Sequence, residues 1–93
     1  MNENRERLIV STNPVKLRIE SNPYVIFLGR SFIPVVDVYD IRMKREYYLP
    51  IGAQSISLPM KNWFELEGQL VNIEFWINKE SELRTSKYEV SLA

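Results

Sequence analysis

The chain has 93 residues, enough for one compact domain and too few for two ordinary ones. Lys plus Arg and Asp plus Glu number 12 each, so any nucleic-acid contact must come from a local patch rather than from net charge. The sequence contains neither Cys nor His, which excludes thiolate or imidazole catalysis, disulfides and Cys/His metal sites.

The N-terminal segment MNENRER, residues 1–7, is polar and lacks periodicity. It predicts a disordered tail ahead of a single β-barrel domain over residues 8–93. The opening residues lack the long apolar stretch of a signal peptide, and no apolar run approaches the roughly 20 residues that span a bilayer. We therefore expect a cytoplasmic protein with no membrane partner.

Two extended segments open the domain. In VKLRIE, residues 15–20, apolar and charged residues alternate with the period of a half-buried strand. YVIFL, residues 24–28, is β-branched and aromatic, which predicts a strand covered on both faces or the continuation of the first strand beyond a bend. GRSFIP, residues 29–34, is interpreted as a connection, because Gly29 permits unusual dihedral angles and Pro34 cannot donate a ladder hydrogen bond.

Two strands that form a hairpin are predicted over residues 35–41 and 46–51, because the side chains of each segment alternate between two faces. Asp37 and Asp40 fall on opposite faces of the first strand, so they cannot act together as paired catalytic carboxylates.

The turn between the two strands carries three cations, Arg42, Lys44 and Arg45. With no catalytic residues to propose, we expect a protein that is not an enzyme and has no metal or small-molecule cofactor.

A short amphipathic helix is predicted over about residues 59–66, where Met60, Trp63 and Phe64 have i, i+3, i+4 spacing and Gly68 provides a stop. Two strands follow, joined by the loop NKESEL. Their predicted inward side chains are Val71, Ile73, Phe75 and Ile77 in the first strand and Tyr88, Val90 and Leu92 in the second.

The predicted order, three strands, a helix and two strands, resembles the oligonucleotide/oligosaccharide-binding (OB) fold, a five-stranded Greek-key barrel. The resemblance covers about residues 15–92. It is carried by PMKNWFEL after EYYLPIG and by the closing segments LEGQLVNIEFWI and RTSKYEVSL. We therefore predict a mostly β protein, a small five-stranded OB-like barrel with one short helix.

In OB-fold proteins the ligand lies across the second and third strands, so the resemblance implies that Tyr39 and Tyr48 stack on bases. The implied phosphate contacts are Arg30, Arg42, Lys44 and Arg45, with Lys16 and Arg18 extending the surface from the first strand. The charge distribution is consistent with a basic surface, because residues 16–45 carry six cations and three anions, whereas residues 46–82 carry two cations and six anions. The alternative is a solvated hairpin turn, since charged turns are usual and Tyr is common in strands.

Trp76 lies on the polar face of its predicted strand, beside Asn72 and Glu74. A large aromatic ring at such a position is either a protein interface residue or is covered by another part of the chain. Trp63, on the apolar stripe of the helix, is expected in the core.

These observations predict a non-catalytic binding module that contacts single-stranded nucleic acid through a basic and aromatic surface. The alternative is a small accessory subunit that docks on a larger replication, repair or transcription protein. A further resemblance, over residues 55–77, is to half of an AbrB-type swapped hairpin, in which a strand ends at Pro59 and a helix follows. That resemblance implies a DNA-binding transcription regulator.

Overall fold

The structure, a computed structural model, describes residues 5–93. It consists of seven strands and one helix. In chain order these are β1 (Glu6–Arg7), β2 (Val15–Ile19), β3 (Tyr24–Leu28), β4 (Ser31–Asp40), β5 (Arg45–Pro50), α1 (Gln54–Glu67), β6 (Glu74–Lys79) and β7 (Tyr88–Leu92).

All seven strands belong to one sheet of order β1-β5-β4-β2-β6-β7, with β3 also paired to β4. The β1–β5 pair is parallel and the others are antiparallel. The prediction of a mostly β protein with one helix is confirmed. The strand count differs from the predicted five, because residues 20–23 separate β2 from β3 and because β1 is an additional strand. The sheet is not closed into a barrel.

The core lies between the sheet and α1. We call the sheet face that packs on α1 the inner face and the opposite one the outer face. Trp63 of α1 packs on Phe75 of β6 with ring centres 5.4 Å apart, which confirms its predicted place in the core. The other principal core residues are Ile56 and Met60 from the helix and Leu17, Ile19, Val36, Val38, Leu49 and Ile77 from the strands.

Helix α1 begins five residues before the predicted start at Pro59. The sequence placed Pro59 in the first turn, where proline is tolerated, whereas a proline in the interior of a helix costs about 3 kcal/mol. Two contacts hold the extra turn: Ile56 is buried, and the Ser55 hydroxyl accepts a hydrogen bond from the Tyr88 amide at 3.2 Å. The AbrB-type resemblance implies a strand that ends at Pro59, whereas residues 54–58 form the first part of α1. Gly68 ends the helix as predicted, in the left-handed region at φ 78°.

Strand β6 begins at Glu74, whereas the predicted strand already included Val71 and Ile73. The amide of Ile73 donates to the Leu70 carbonyl at 3.1 Å, and Asn72 has φ 76°, which asparagine tolerates better than most residues. A turn therefore replaces the first part of the predicted strand. Phe75 and Ile77 are buried as predicted, whereas Val71 and Ile73 lie in the turn and are only half-buried.

Strand β3 forms a hairpin with the first half of β4, where the sequence predicted a connection. Leu28 pairs with Ser31 across the two-residue turn at Gly29 and Arg30. Gly29 has φ 61° and Arg30 does not have a positive φ, the pattern of a hairpin turn with glycine at its first central position. Pro34 is compatible with this strand because its carbonyl accepts from Ile51, on the side away from β3.

The N-terminal segment is part of the sheet. Strand β1 pairs with Tyr47 and Tyr48 of β5, and the Leu8 amide donates to the Tyr48 carbonyl at 2.9 Å. The predicted disordered tail therefore does not hold for residues 5–7, while residues 1–4 lie outside the described part of the chain. From residue 5 onward, no helix is both long and apolar enough to cross a membrane.

Candidate nucleic-acid interface

The strands place half of the predicted contact residues, Lys16, Arg18, Tyr39 and Tyr48, on the outer face. Arg18 lies between Tyr39 and Glu74 in neighbouring strands, and Lys16 lies opposite Trp76. Tyr48 lies opposite Asp37 on the same face.

Two predicted cations lie apart from this group. Arg30 is in the β3–β4 turn, at the opposite end of the ten-residue strand β4 from Arg42, a separation of roughly 30 Å. Arg45 has its guanidinium carbon 5.6 Å from the ring centre of Tyr47, which packs against the inner-face core. The structure thus brings Lys16, Arg18 and Arg42 to one end of the outer face without Arg30 or Arg45.

The basic turn has a defined backbone conformation because Asp40 caps it. The buried Asp40 carboxylate accepts hydrogen bonds from the amides of Arg42 and Met43, both at 3.1 Å. The Lys44 amide donates to the Asp40 carbonyl at 2.8 Å, and Lys44 itself has φ 56°. Asp37 and Asp40 lie on opposite faces, as their spacing predicted. Asp40 therefore holds the backbone of the turn in this conformation.

Trp76 lies at a cleft between the basic turn and β6. The cleft has a volume of about 240 Å³, and Trp76 remains 42% exposed. We call it the Trp76 cleft; its lining residues are Pro14, Val15, Lys16, Asp40, Arg42, Met43 and Trp76. The sequence pointed to Trp76, Lys16 and Arg42 separately, but it did not indicate that a turn distant in the chain from Trp76 would complete the cleft.

Several outer-face cations already have partners. Lys16 Nζ lies 3.6 Å from Glu74 Oε1, and Arg18 Nη2 donates to Glu20 Oε1 at 3.0 Å. The hydrogen bond and charge of Glu20 raise the pKa of Arg18. The Cζ atom of Arg18 also lies 4.9 Å from the ring centre of Tyr39. A base could stack on this face of Tyr39 only by displacing the guanidinium.

Tyr48 lies beside a polar network centred on the buried side chain of Asp37. Tyr24 donates its hydroxyl proton to Asp37 Oδ1, and burial together with this hydrogen bond raises the pKa of Tyr24 to about 12. Arg5 Nε lies 3.3 Å from Asp37 Oδ2, and Arg5 Nη1 lies 3.4 Å from Glu46 Oε2. These Arg5 nitrogens make no hydrogen bond of regular geometry, so we treat both contacts as Coulombic. The sequence missed Arg5 because it falls in the predicted tail.

An exposed apolar surface lies on the β3–β4 hairpin, well away from the Trp76 cleft. Phe27 and Phe32 make an edge-on contact with ring centres 5.0 Å apart, yet they are 61% and 74% exposed. We call this the hairpin surface; it consists of Val25, Phe27, Phe32 and Pro34. The sequence missed it by treating residues 29–34 as a connection. The available signal was Gly29 as the first residue of a two-residue connection between two β-rich runs, the position that a type II′ hairpin turn reserves for glycine.

Within residues 5–93, no three or more Asp or Glu side chains come together as a metal site could require. No protein-family model matches this chain, and comparisons with curated proteins and with solved structures found no significant match.

Proposed function

We propose that this protein is a non-catalytic module that binds single-stranded nucleic acid at the end of its outer face next to the basic turn. The observation that carries the proposal is the Trp76 cleft, where a part-exposed indole lies beside Lys16 and Arg42. Proteins that bind single strands combine aromatic stacking platforms with cations that follow the phosphates. The cleft provides both within one small volume, so the base stacks on Trp76 rather than on Tyr39 or Tyr48.

The turn supplies the phosphate contacts. Arg42 and Lys44 are exposed and form no ion pair within residues 5–93. Lys16 and Arg18 contribute less, because a phosphate must compete with Glu74 and Glu20 for them. With about two fully available cations, binding is weak, and the slope of log K against log salt is only about −1.4, or about 0.7 for each phosphate contact on a single strand.

The carboxylate in the cleft does not oppose this proposal. Asp40 lines the cleft, and an uncompensated carboxylate there would repel a phosphate. Its Oδ1 atom accepts two backbone amides, whose dipoles offset the negative charge. Asp40 also fixes the turn backbone that carries Arg42 and Lys44, so it contributes to the site by positioning the cations.

The second support for the proposal is the likeness of this chain to the OB fold in the order of its elements. Strands β2, β4 and β5, helix α1, and strands β6 and β7 follow one another in the order of such a barrel, with β1 and β3 as additions. The ligand face of OB proteins corresponds here to the outer face of β4 and β5, which carries Tyr39 and Tyr48. The Trp76 cleft adjoins that face at the β4–β5 turn. The likeness therefore supports a ligand at this end of the molecule.

Fluorescence titration with oligothymidine tests the stacking contact. Trp63 is buried against Phe75, so quenching on addition of the oligonucleotide reports on Trp76. We expect the Trp76→Phe variant to lose the quenching but to keep much of the binding, measured with an end-labelled oligonucleotide. Trp76→Ala should weaken binding by about 1–3 kcal/mol. Absence of binding at low salt, up to several hundred micromolar protein, would refute the proposal.

Salt dependence tests the phosphate contacts with a matched pair of arginine variants. Arg42→Ala should lower the slope of log K against log salt by about 0.7, the value for one phosphate contact on a single strand. Arg30→Ala removes an identical charge from the far end of β4 and should leave the slope unchanged. Equal changes for both variants would show that the attraction is general rather than local to the cleft.

A further inference from the structure

The geometry points to a second copy of this chain as the partner of the β3 edge: we infer that two molecules pair their β3 strands antiparallel, around a two-fold axis at Ile26. This inference does not depend on the nucleic-acid proposal, because the hairpin and the Trp76 cleft lie at opposite ends of β4.

The backbone of β3 is available for such pairing. Strand β3 pairs with β4 and with no other strand of the described chain. In a hairpin with a two-residue turn, the residues that flank the turn are a hydrogen-bonded pair, and hydrogen-bonded and non-hydrogen-bonded pairs then alternate. Leu28, Ile26 and Tyr24 therefore point their amides and carbonyls toward β4. Val25 and Phe27 point theirs toward the open edge.

The open edge of β3 lacks the features that normally prevent edge pairing. Exposed strands are usually blocked by proline, by charged side chains or by covering elements. The opposite side of the hairpin has such a block, since Pro34 offers no amide there and its carbonyl is bonded to Ile51 at 2.9 Å. Strand β3, with the sequence YVIFL, has neither proline nor a charged residue. Only the β3 side of the hairpin is therefore suited to accept another strand.

The edge is complementary to itself. An antiparallel pair centred on Ile26 places Val25 of one copy opposite Phe27 of the other, twice, with both residues directing backbone groups at each other. The hairpin surfaces of the two copies then join into rows in which Phe32 and Phe27 of one copy continue into Val25 and Pro34 of the other. Each row places exposed apolar side chains beside apolar neighbours, the arrangement that stabilises cross-strand pairs.

Charge does not oppose this pairing. Arg30 is the single charged residue from Tyr24 to Val35, and the chain as a whole has a formal net charge of zero. In the proposed pair the two Arg30 residues lie at opposite ends, eight residue positions apart, or roughly 27 Å. That distance exceeds the Debye length of about 8 Å at physiological salt, so their repulsion is negligible.

Engineered cysteines test the register directly, because the natural chain contains no cysteine. The two Ile26 residues form a non-hydrogen-bonded pair with Cα atoms about 4.5 Å apart, within the range for a disulfide. Ile26→Cys should therefore oxidise to a covalent dimer at low micromolar concentration. The matched control is Leu28→Cys, on the same strand and face and also half-buried. Its two copies lie about 13 Å apart and should not cross-link. Equal cross-linking of both variants, or of neither, overturns the inferred register.

Sedimentation of the unmodified chain and two lysine variants measures the association itself. Phe27→Lys places a charge on the open edge, two residue positions or about 7 Å from its counterpart, and should raise the dimer Kd by about tenfold or more. Phe32→Lys removes the other ring of the same aromatic pair, one strand further from the axis, and should change Kd by less than about threefold. Val25→Lys repeats the edge test if Phe27→Lys does not fold. A monomeric wild-type chain at several hundred micromolar overturns the inference and leaves the β3 edge for a strand of a larger protein.

Discussion

The two halves of β4 differ in how their inner-face side chains are covered. Val36 and Val38, in the second half, are fully buried beneath α1. Phe32 and Pro34, in the first half, lie on the same face of the same strand and are exposed. The alternation of the strand decides which face a side chain takes, but a helix formed by residues 54–67 decides whether that face is buried.

The largest difference in stability between the two halves of β4 is expected for aspartate substitutions on the inner face. Val38→Asp buries a carboxylate without a partner and should cost roughly 3–5 kcal/mol, a large share of the stability of a small domain. Phe32→Asp places the same group in solvent and should cost about 1 kcal/mol, mainly from the lost contact with Phe27. Urea unfolding followed by circular dichroism measures both. Similar unfolding midpoints would show that the two halves do not differ in this way.

Substitutions in α1 test how much the packing of this helix on the sheet contributes to stability. Trp63→Ala deletes the buried ring that packs on Phe75 and should destabilise the protein by about 3 kcal/mol or more. Phe64→Ala, one position further along the same helix, removes a half-exposed ring and should cost about 1 kcal/mol. Thermal melting of the two variants provides the measurement. If the loss at Phe64 equals that at Trp63, the helix covers more of the sheet than its contacts indicate.

A smaller effect is expected at Tyr24, which ties the base of the uncovered hairpin to Asp37 of β4. Tyr24→Phe should cost about 1–2 kcal/mol at neutral pH, because it removes a hydrogen bond to the buried Asp37 carboxylate. Since folding raises the pKa of Tyr24 from 10.0 to about 12, its contribution to stability is complete below pH 10 and is lost as the pH rises toward 12. Urea unfolding at pH 8 and pH 11 should show the gap between wild type and variant narrowing. A gap that stays constant would show that the phenol is not responsible.

The smallest effect is expected on the hairpin surface itself. Phe27→Ala removes an exposed ring and an edge-on aromatic contact, so the loss for the monomer should be about 0.5–1.5 kcal/mol. Chemical unfolding at low protein concentration isolates this term from any association. A loss above 3 kcal/mol would mean that Phe27 is covered within one chain.

The sequence predicted the parts of the fold that depend on local alternation. The positions of Leu17, Val38 and Phe75 on the inner face, and the stop at Gly68, follow from side-chain period and from the conformational freedom of glycine. The start of α1 was missed because burial of Ile56 and the Ser55–Tyr88 hydrogen bond stabilise a helical turn ahead of Pro59, and Tyr88 lies far from Ser55 in the chain.

The candidate site was predictable only as separate residues. Tyr39 and Arg18 were expected on one surface, and they share one, but their mutual contact depends on the register of β2 against β4. The approach of the basic turn to Trp76 depends on the β2–β6 register as well. The place of Arg5 beside Asp37 depends on a parallel pairing that a two-residue polar strand does not reveal in the sequence.

Strand β1 is short and its side chains are exposed, yet it lies along the outer edge of β5 through its pairing with Tyr47 and Tyr48. Removal of residues 5–7 would leave the β5 backbone at Tyr47 and Tyr48 unpaired on that side, in addition to the open edges of β3 and β7. A molecule that can pair at one edge stops at a closed pair, whereas one that can pair at two edges can add further copies without limit. The first strand therefore removes one of the edges at which further copies could add.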